Sequence, residues 1–138
     1  MRRKIAIIYN DPKPGRYGKM GEDKAILAVL EGVVAVRQAL DELGHEVVEI
    51  PLLPPYERAR DALKAIEADV VFNLFEGFGS RPKTEAAVAK MLSELGFAHT
   101  GCSSNALALA LDKAKAKELM QSHGIRTPKY QLVTPETV

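Results

Sequence analysis

Cysteine and histidine are scarce in this chain. Cys102 stands alone, and His45, His99 and His123 share no ligand spacing. A lone cysteine closes no intrachain disulfide, and three scattered histidines leave no Cys/His cluster of the kind that holds zinc. No metal site is therefore assigned, and a reducing, cytoplasmic compartment is expected. Charge of one sign is equally lacking: 19 Lys and Arg against 18 Asp and Glu leave a formal net charge of +1. No overall field then draws the protein to nucleic acid or to an acidic membrane surface. Long apolar runs are missing as well. Residues 25–36 form the longest, broken by Glu31 and Gly32, and fall short of the roughly 18 residues that a membrane-spanning helix needs. The apolar run after Met1-Arg2-Arg3-Lys4 is too brief for the core of an export signal, so a soluble protein is expected. Nor is there a fixed-period repeat or a low-complexity tract, which removes solenoid and linker-rich architectures.

What is present suits one globular domain: 138 residues, 46% hydrophobic and 27% charged, enough for a sizeable core. Ile5-Ala6-Ile7-Ile8-Tyr9, closed by Asn10-Asp11-Pro12, reads as a strand buried on both faces. Residues 23–43 place Ile26, Leu27, Leu30, Val33, Val34, Leu40 and Leu43 at helical spacing, with Gly44 as the stop. A second strand is expected over 45–50, ended by Pro51, then a helix over 56–67 and a third strand over 69–75. A helix over 83–95, a fourth strand over 97–100 and two short helices over 103–111 and 112–123 follow. Residues 130–133 read as the start of a further strand. This alternation predicts an α/β fold, an open parallel sheet with helices on both faces. Ligands in such sheets bind at the carboxyl ends of the strands, which singles out the loops that begin at Asn10, Glu76 and Thr100.

The loop after the first strand carries Gly15-Arg16-Tyr17-Gly18-Lys19-Met20-Gly21. It matches neither G-x-G-x-x-G nor a P-loop, since Met20 stands where Ser or Thr should follow Lys19, and a mobile loop is favoured over a phosphate cradle. Glu22, at the mouth of the first helix, is either a ligand contact or an acid stabilised by the helix dipole; Glu85, in the first turn of the third helix, is assigned to the dipole. Glu76-Gly77-Phe78-Gly79-Ser80-Arg81 puts a carboxylate at the sheet edge. That carboxylate either holds the ammonium group of an amino-acid-like ligand or is a solvated loop residue whose glycines serve the turn. Thr100-Gly101-Cys102-Ser103-Ser104-Asn105 suits N-capping better than nucleophilic chemistry, because no histidine is placed beside Cys102. In Asp112-Lys113-Ala114-Lys115-Ala116-Lys117, Lys113 and Lys117 lie four apart on one face, which is either solvated or attractive to phosphate.

Over residues 70–130 the order V-V-F-N-L-F-E-G, a helix, L-G-F-A-H-T-G-C-S, A-L-A-L-A-L-D-K-A-K-A-K-E-L-M and H-G-I-R-T-P-K-Y resembles the D-alanine–D-alanine ligase family of ATP-grasp enzymes. The most specific part runs from Thr100 to Pro128, where family members pass from their N-terminal domain into the ATP-grasp fold. The resemblance implies a Rossmann-like pre-ATP-grasp domain over residues 1–124 and the start of an ATP-grasp domain over 125–138. It also implies an ADP-forming carboxylate–amine ligase that joins two amino acids through an acylphosphate, with ATP and Mg²⁺ as cofactors and a place in peptidoglycan biosynthesis. Lys113 matches the family lysine that contacts the ATP phosphates, and Lys117 the second lysine, with a structural role. Glu22 is aligned with the glutamate that helps hold the first amino acid, which makes it the catalytic candidate; Glu76 and Gly77 are the substrate-binding candidates.

Two departures from the family pattern bear on the substrate. The Gly-Gly-x-Ser-x-Glu segment after the first strand is replaced by Asn10-Asp11-Pro12-Lys13-Pro14-Gly15. After the third strand the usual His-Gly is Glu76-Gly77, as in a more divergent ligase-like branch. A carboxylate in place of an imidazole changes which substrate charge the site welcomes, and this opens the substrate to amino acids or small peptides other than D-alanine. The family's metal ligands and adenine pocket fall beyond Val138, so the chain is expected to be an N-terminal domain, inactive alone and partnered by a C-terminal ATP-grasp domain. The alternative is a non-catalytic small-molecule-binding or dimerisation module of the same fold, a homodimer in which Val29, Val33 and Val36 cover a partner as well as the sheet. A receiver domain is disfavoured, because the third strand ends in Phe75-Glu76 and offers no acceptor aspartate.

Overall fold

In a computed structural model, residues 1–11, 22–79 and 81–135 are described, residues 22–27 by their backbone alone. The elements alternate as β1 (Lys4–Asn10), α1 (Glu22–Glu42), β2 (Glu46–Leu52), α2 (Tyr56–Lys64), β3 (Val70–Leu74), α3 (Lys83–Glu94) and β4 (Ala98–His99), followed by α4 (Ser104–Leu111) and α5 (Lys113–Ser122). The strands form one parallel sheet in the order β2-β1-β3-β4. This is the expected α/β fold.

Strand order and handedness together decide which face each helix covers. Right-handed crossovers that step from β1 outward to β2, then back across β1 to β3 and on to β4, place the first helix on one face and the next two on the other. The core divides in that way. Ala6 and Ile8 of β1 join Val71 of β3 with Ala59 and Leu63 of α2 and Val88 and Leu92 of α3. Ile7 and Tyr9 face the opposite side, against Val33, Val29, Leu30, Val36 and Leu40 of α1. Alternation along β1 thus feeds two cores, which is why its sequence is apolar without a break. Arg37 Nη1 meets Glu49 Oε1 at 2.9 Å, tying α1 to the edge strand β2.

Val29, Val33 and Val36, expected to serve both sheet and partner, pack on the sheet, Val33 fully and the other two in part. Among the described side chains, Val34 is an exposed large apolar residue of α1, and Leu43 is exposed just beyond the helix. Gly44, with φ +79, ends the hydrogen-bonding of this helix where the sequence places its stop.

Two expectations fail in instructive ways. Pro51 does not end the second strand, which runs on to Leu52 with Pro51 paired to Tyr9. β2 is the edge of the sheet, and Leu52 O accepts from Asp11 N at 3.0 Å. Successive residues of a strand alternate the side to which they bond, so the position of Pro51 that lacks an N–H faces outward. Residues 130–133 form no strand, since no neighbouring strand among the described residues offers them a ladder. Helices α4 and α5 begin as expected: Ser103 Oγ accepts from Ala106 N at 3.3 Å, and Asp112 Oδ1 from Lys115 N at 3.1 Å. No helix among the described residues is long and apolar enough to cross a membrane.

Ile8 is fully buried between β1's neighbours and the α2–α3 layer. Its replacement, Ile8→Ala, is expected to cost about 2–5 kcal/mol of stability. Val34→Ala, at an exposed site on α1, should stay within about 0.5 kcal/mol. Urea denaturation of both variants checks the contrast.

Candidate functional site

The chain leaves β1 toward β2 and leaves β3 toward β4, so the connections part company between β1 and β3. A crevice opens at such a reversal, outside the carboxyl ends of the strands. The β1–β3 register ends with Tyr9 opposite Leu74. One residue further, the backbones no longer pair, and the side chain of Asn10 spans the gap. Its Oδ1 accepts from Glu76 N at 2.9 Å, and its Nδ2 donates to Gly77 O at 2.7 Å.

The loop that follows β3 is held residue by residue. Asn73 Oδ1 accepts from Phe75 N at 3.1 Å, while Asn73 N donates to Thr100 Oγ1 at 2.9 Å, linking β3 to the loop after β4. Gly77 takes φ +84, a left-handed conformation open to glycine at little cost. A Cβ there would stand 3.3 Å from Pro82 O and 3.5 Å from Glu85 Cβ. Thr84 Oγ1 accepts from Phe78 N at 2.8 Å and donates to Arg81 O at 2.6 Å. The Phe78 ring packs edge-on against Phe75, with centroids 5.0 Å apart. These contacts bring the first turn of α3 against the end of β3.

Between this loop, α1 and α3 lies a cavity of about 440 Å³, lined by Ala28, Val29, Gly32, Asn73, Leu74, Phe75, Glu76 and Glu85. Among the described lining residues, those on α1 are apolar or glycine, and the charged groups are two carboxylates. Burial, and secondarily the neighbouring Glu76 carboxylate, hold the Glu85 carboxyl above its usual range. Glu85 is thus a site residue that reading the sequence assigned to the helix dipole. Position in a first helical turn is shared by both roles, and only the fold shows that this turn abuts Glu76.

Of the sequence candidates, Glu76 lines the cavity, whereas Gly77 is buried behind it and is not among the lining residues. Glu22 is the first residue of α1; its side chain, and the glycine-rich segment 15–21, lie outside the described residues. Lys113 belongs to another place. It opens α5 and lines a separate cavity of about 880 Å³ with Lys83, Lys115, Asp112 and Leu132. Lys117 turns to its own chain: Nζ donates to Thr127 Oγ1 at 2.9 Å and to Pro128 O at 3.0 Å, and lies 5.5 Å from the Tyr130 ring centroid. Cys102 is exposed, and His99 is engaged by Ser93 Oγ at 3.1 Å and Thr100 O at 3.2 Å. Among the described residues no three His, Cys, Asp or Glu side chains gather as a metal centre.

Known proteins similar to this chain share one activity in name. A D-alanine–D-alanine ligase of Moorella thermoacetica is 32% identical over 127 residues, 92% of this chain and 36% of the ligase. Those of Halalkalibacterium halodurans and Maridesulfovibrio salexigens are 32% and 33% identical, over 89% and 75% of this chain and 35% and 33% of their own lengths. The chain is a homologue of the D-alanine–D-alanine ligases. It spans about a third of the length of these curated relatives. No protein-family profile matches the chain, and no solved structure does. The cavity that bears Glu76 and Glu85 and the cavity that bears Lys83, Lys113 and Lys115 are separate cavities on one scaffold.

The Glu85 carboxyl holds its proton more tightly in the folded domain than in the unfolded chain, where its pKa is ordinary. Its unfavourable contribution is therefore absent below the unfolded value of about 4.5 and grows as pH rises through the folded one. Glu85→Gln is expected to leave stability unchanged at pH 4 and to raise it at pH 7. The gain should stay below about 1 kcal/mol, because solvent screens a group this exposed. Thermal melts of wild type and variant at the two pH values measure it.

Proposed function

We propose that this chain is the N-terminal, amino-acid-binding domain of an ATP-dependent carboxylate–amine ligase. The observation that carries the reading is the cavity at the β1–β3 reversal, apolar on its α1 wall and bearing Glu76 and Glu85, in a homologue of ligases that are named for joining two amino acids. Two carboxylates, with no cation among the described lining residues, favour a ligand's ammonium group and repel its carboxylate. The ligand would lie with its amino group at Glu76 and Glu85, its side chain along Val29 and Leu74, and its carboxylate directed away from the pair. Glu22, the first residue of α1, is the further contact proposed for the same ligand.

In the whole enzyme the carboxylate of the bound amino acid would attack the γ-phosphorus of ATP, releasing ADP and leaving an acylphosphate. The amine of the second amino acid would then displace phosphate at the carbonyl, losing its proton to solvent as the amide forms. The residues present fit a polyphosphate in one respect: Lys83, Lys113 and Lys115 line one cavity, and Lys113 is the cation we assign to the phosphates. No three carboxylates gather as a metal centre among the described residues, and in this reading the Mg²⁺ ligands belong to the catalytic domain. Residues 1–124 form the ligand-binding domain in this reading, and 125–138 lead toward a catalytic ATP-grasp domain. The homodimer remains part of it, with the exposed Val34 of α1 and Leu43 just beyond that helix at hand for a second copy.

Titration of the isotope-labelled chain with free amino acids, followed by NMR at Glu76 and Glu85, tests the reading. We expect millimolar binding of amino acids with neutral or cationic side chains, and no ADP release from ATP by this chain alone. Glu76→Gln and Glu85→Gln should each weaken binding on the order of tenfold, the worth of one charge-assisted hydrogen bond. N-acetyl amino acids, which lack the ammonium group, should not bind. Equal binding of free and acetylated forms would sink the assignment of the carboxylates, and turnover by the chain alone would sink its role as a non-catalytic domain.

A further inference from the structure

We propose that Asn10 is a positioning residue: its side-chain amide, bonded to Glu76 N and Gly77 O, holds the Glu76 carboxylate at the cavity beside Glu85. The inference rests on the paired-carboxylate reading of that cavity. Asn10 is 5% exposed, a burial that a polar amide tolerates when its donor and acceptor are both satisfied. Its two side-chain hydrogen bonds go to consecutive residues of one loop, at 2.7 and 2.9 Å. The amide stands where the next rung of the β1–β3 ladder would be, after Tyr9 and Leu74 and before the backbones diverge.

The chemistry of the position is narrow. A carboxylate of the same shape would set an acceptor against the acceptor Gly77 O, and an aliphatic side chain would leave the Glu76 N–H and the Gly77 carbonyl without these partners. Thr84 secures the next residue, Phe78, from the opposite side through Oγ1 at 2.8 Å. Glu76, Gly77 and Phe78 are thus pinned in succession, the first two by Asn10 and the third by α3. Glu76 itself is exposed, so no packing of its own side chain fixes it, and its direction follows from its backbone. The like-charge contribution of Glu76 to the titration of Glu85 reports that placement.

The ¹³C-detected titration of the Glu85 carboxyl in the intact chain reads the effect without any ligand. Glu76→Gln should lower the Glu85 midpoint and sets the scale of the contribution. Asn10→Ala should lower it by a large part of the same shift, and Asn10→Gln, which keeps the amide but lengthens its reach, should lower it as well. Ile8→Ala, which loosens the core that Phe75 and Phe78 share but removes neither Asn10 bond, should leave it in place. A shift in Glu76→Gln with none in the Asn10 variants would overturn the positioning role and spare the carboxylate pair. No shift in Glu76→Gln would overturn the pair, and the inference with it. An equal shift in Ile8→Ala, or loss of the fold in both Asn10 variants, would also overturn it, since Asn10 would then serve the fold alone.

Discussion

A parallel sheet whose connections reverse direction must open between the two strands where they do so, and the site of this domain follows from how that opening is bridged. β1 and β3 pair through Tyr9 and Leu74, after which one chain turns toward β2 and the other toward β4. Backbone groups at the divergence lose their ladder partners, and a buried group left unpaired is costly. The amide of Asn10 supplies one donor and one acceptor at that point. The same two bonds that relieve the backbone also set the course of Glu76 and Gly77. Stability and placement of the carboxylate are in this sense one constraint, which is why a strand-ending polar residue carries more of the site's geometry than its sequence position advertises.

A net charge near zero conceals a division of charge. Among the described residues, Glu76 and Glu85 line the cavity beside α1 and β3, while Lys83, Lys113 and Lys115 line the cavity along α3, α4 and α5 with one carboxylate, Asp112, paired to Lys115 at 3.3 Å. Helix α3 contributes to both: Lys83 and Glu85, two residues apart in its first turn, belong to different cavities. Such a separation suits a reaction that handles an ammonium group at one place and phosphate at another. In the proposed ligase, α3 would be the common wall between amino acid and nucleotide, its first turn seated by Thr84 against the β3 loop.

The fold was largely legible in the sequence because burial on two faces leaves a direct mark. The unbroken apolar run of β1 reads as a central strand, and its residues do feed both cores. The caps at Ser103 and Asp112 were legible for a similarly local reason. Where the reading failed, the deciding fact was a neighbour rather than the residue. Pro51 ends a strand only when its missing N–H faces another strand, and edge position cannot be seen in a local window. Residues 130–133 have strand composition and no strand to pair with among the described residues. The site was legible in part for the same reason. Glu76 follows a strand and was found by that rule, but Glu85 and Asn10 become site residues through contacts across the sheet end, between positions 66 residues or more apart in the case of Asn10. Composition and spacing carry no record of such contacts.

The C-terminal third differs from the rest in what it leaves uncovered. Helix α4 is built almost wholly of alanine and leucine, yet none of its residues is buried, and neither is any residue of α5. Leu111, Leu119, Met120, Ile125, Leu132 and Val133 are exposed as well. Single exposed apolar residues are ordinary on a protein surface, but a run of them over adjoining elements marks a surface suited to contact. Meanwhile Lys117 spends its ammonium group on Thr127, Pro128 and the Tyr130 ring, fixing the path of the segment after α5 rather than meeting solvent or ligand. The chain spans about a third of the length of its relatives, and the path of its last described residues is fixed from within by Lys117. In the ligase-domain reading proposed above, the exposed apolar helices are the surface that would be offered to a catalytic domain, and Lys113 stands on that same stretch of chain.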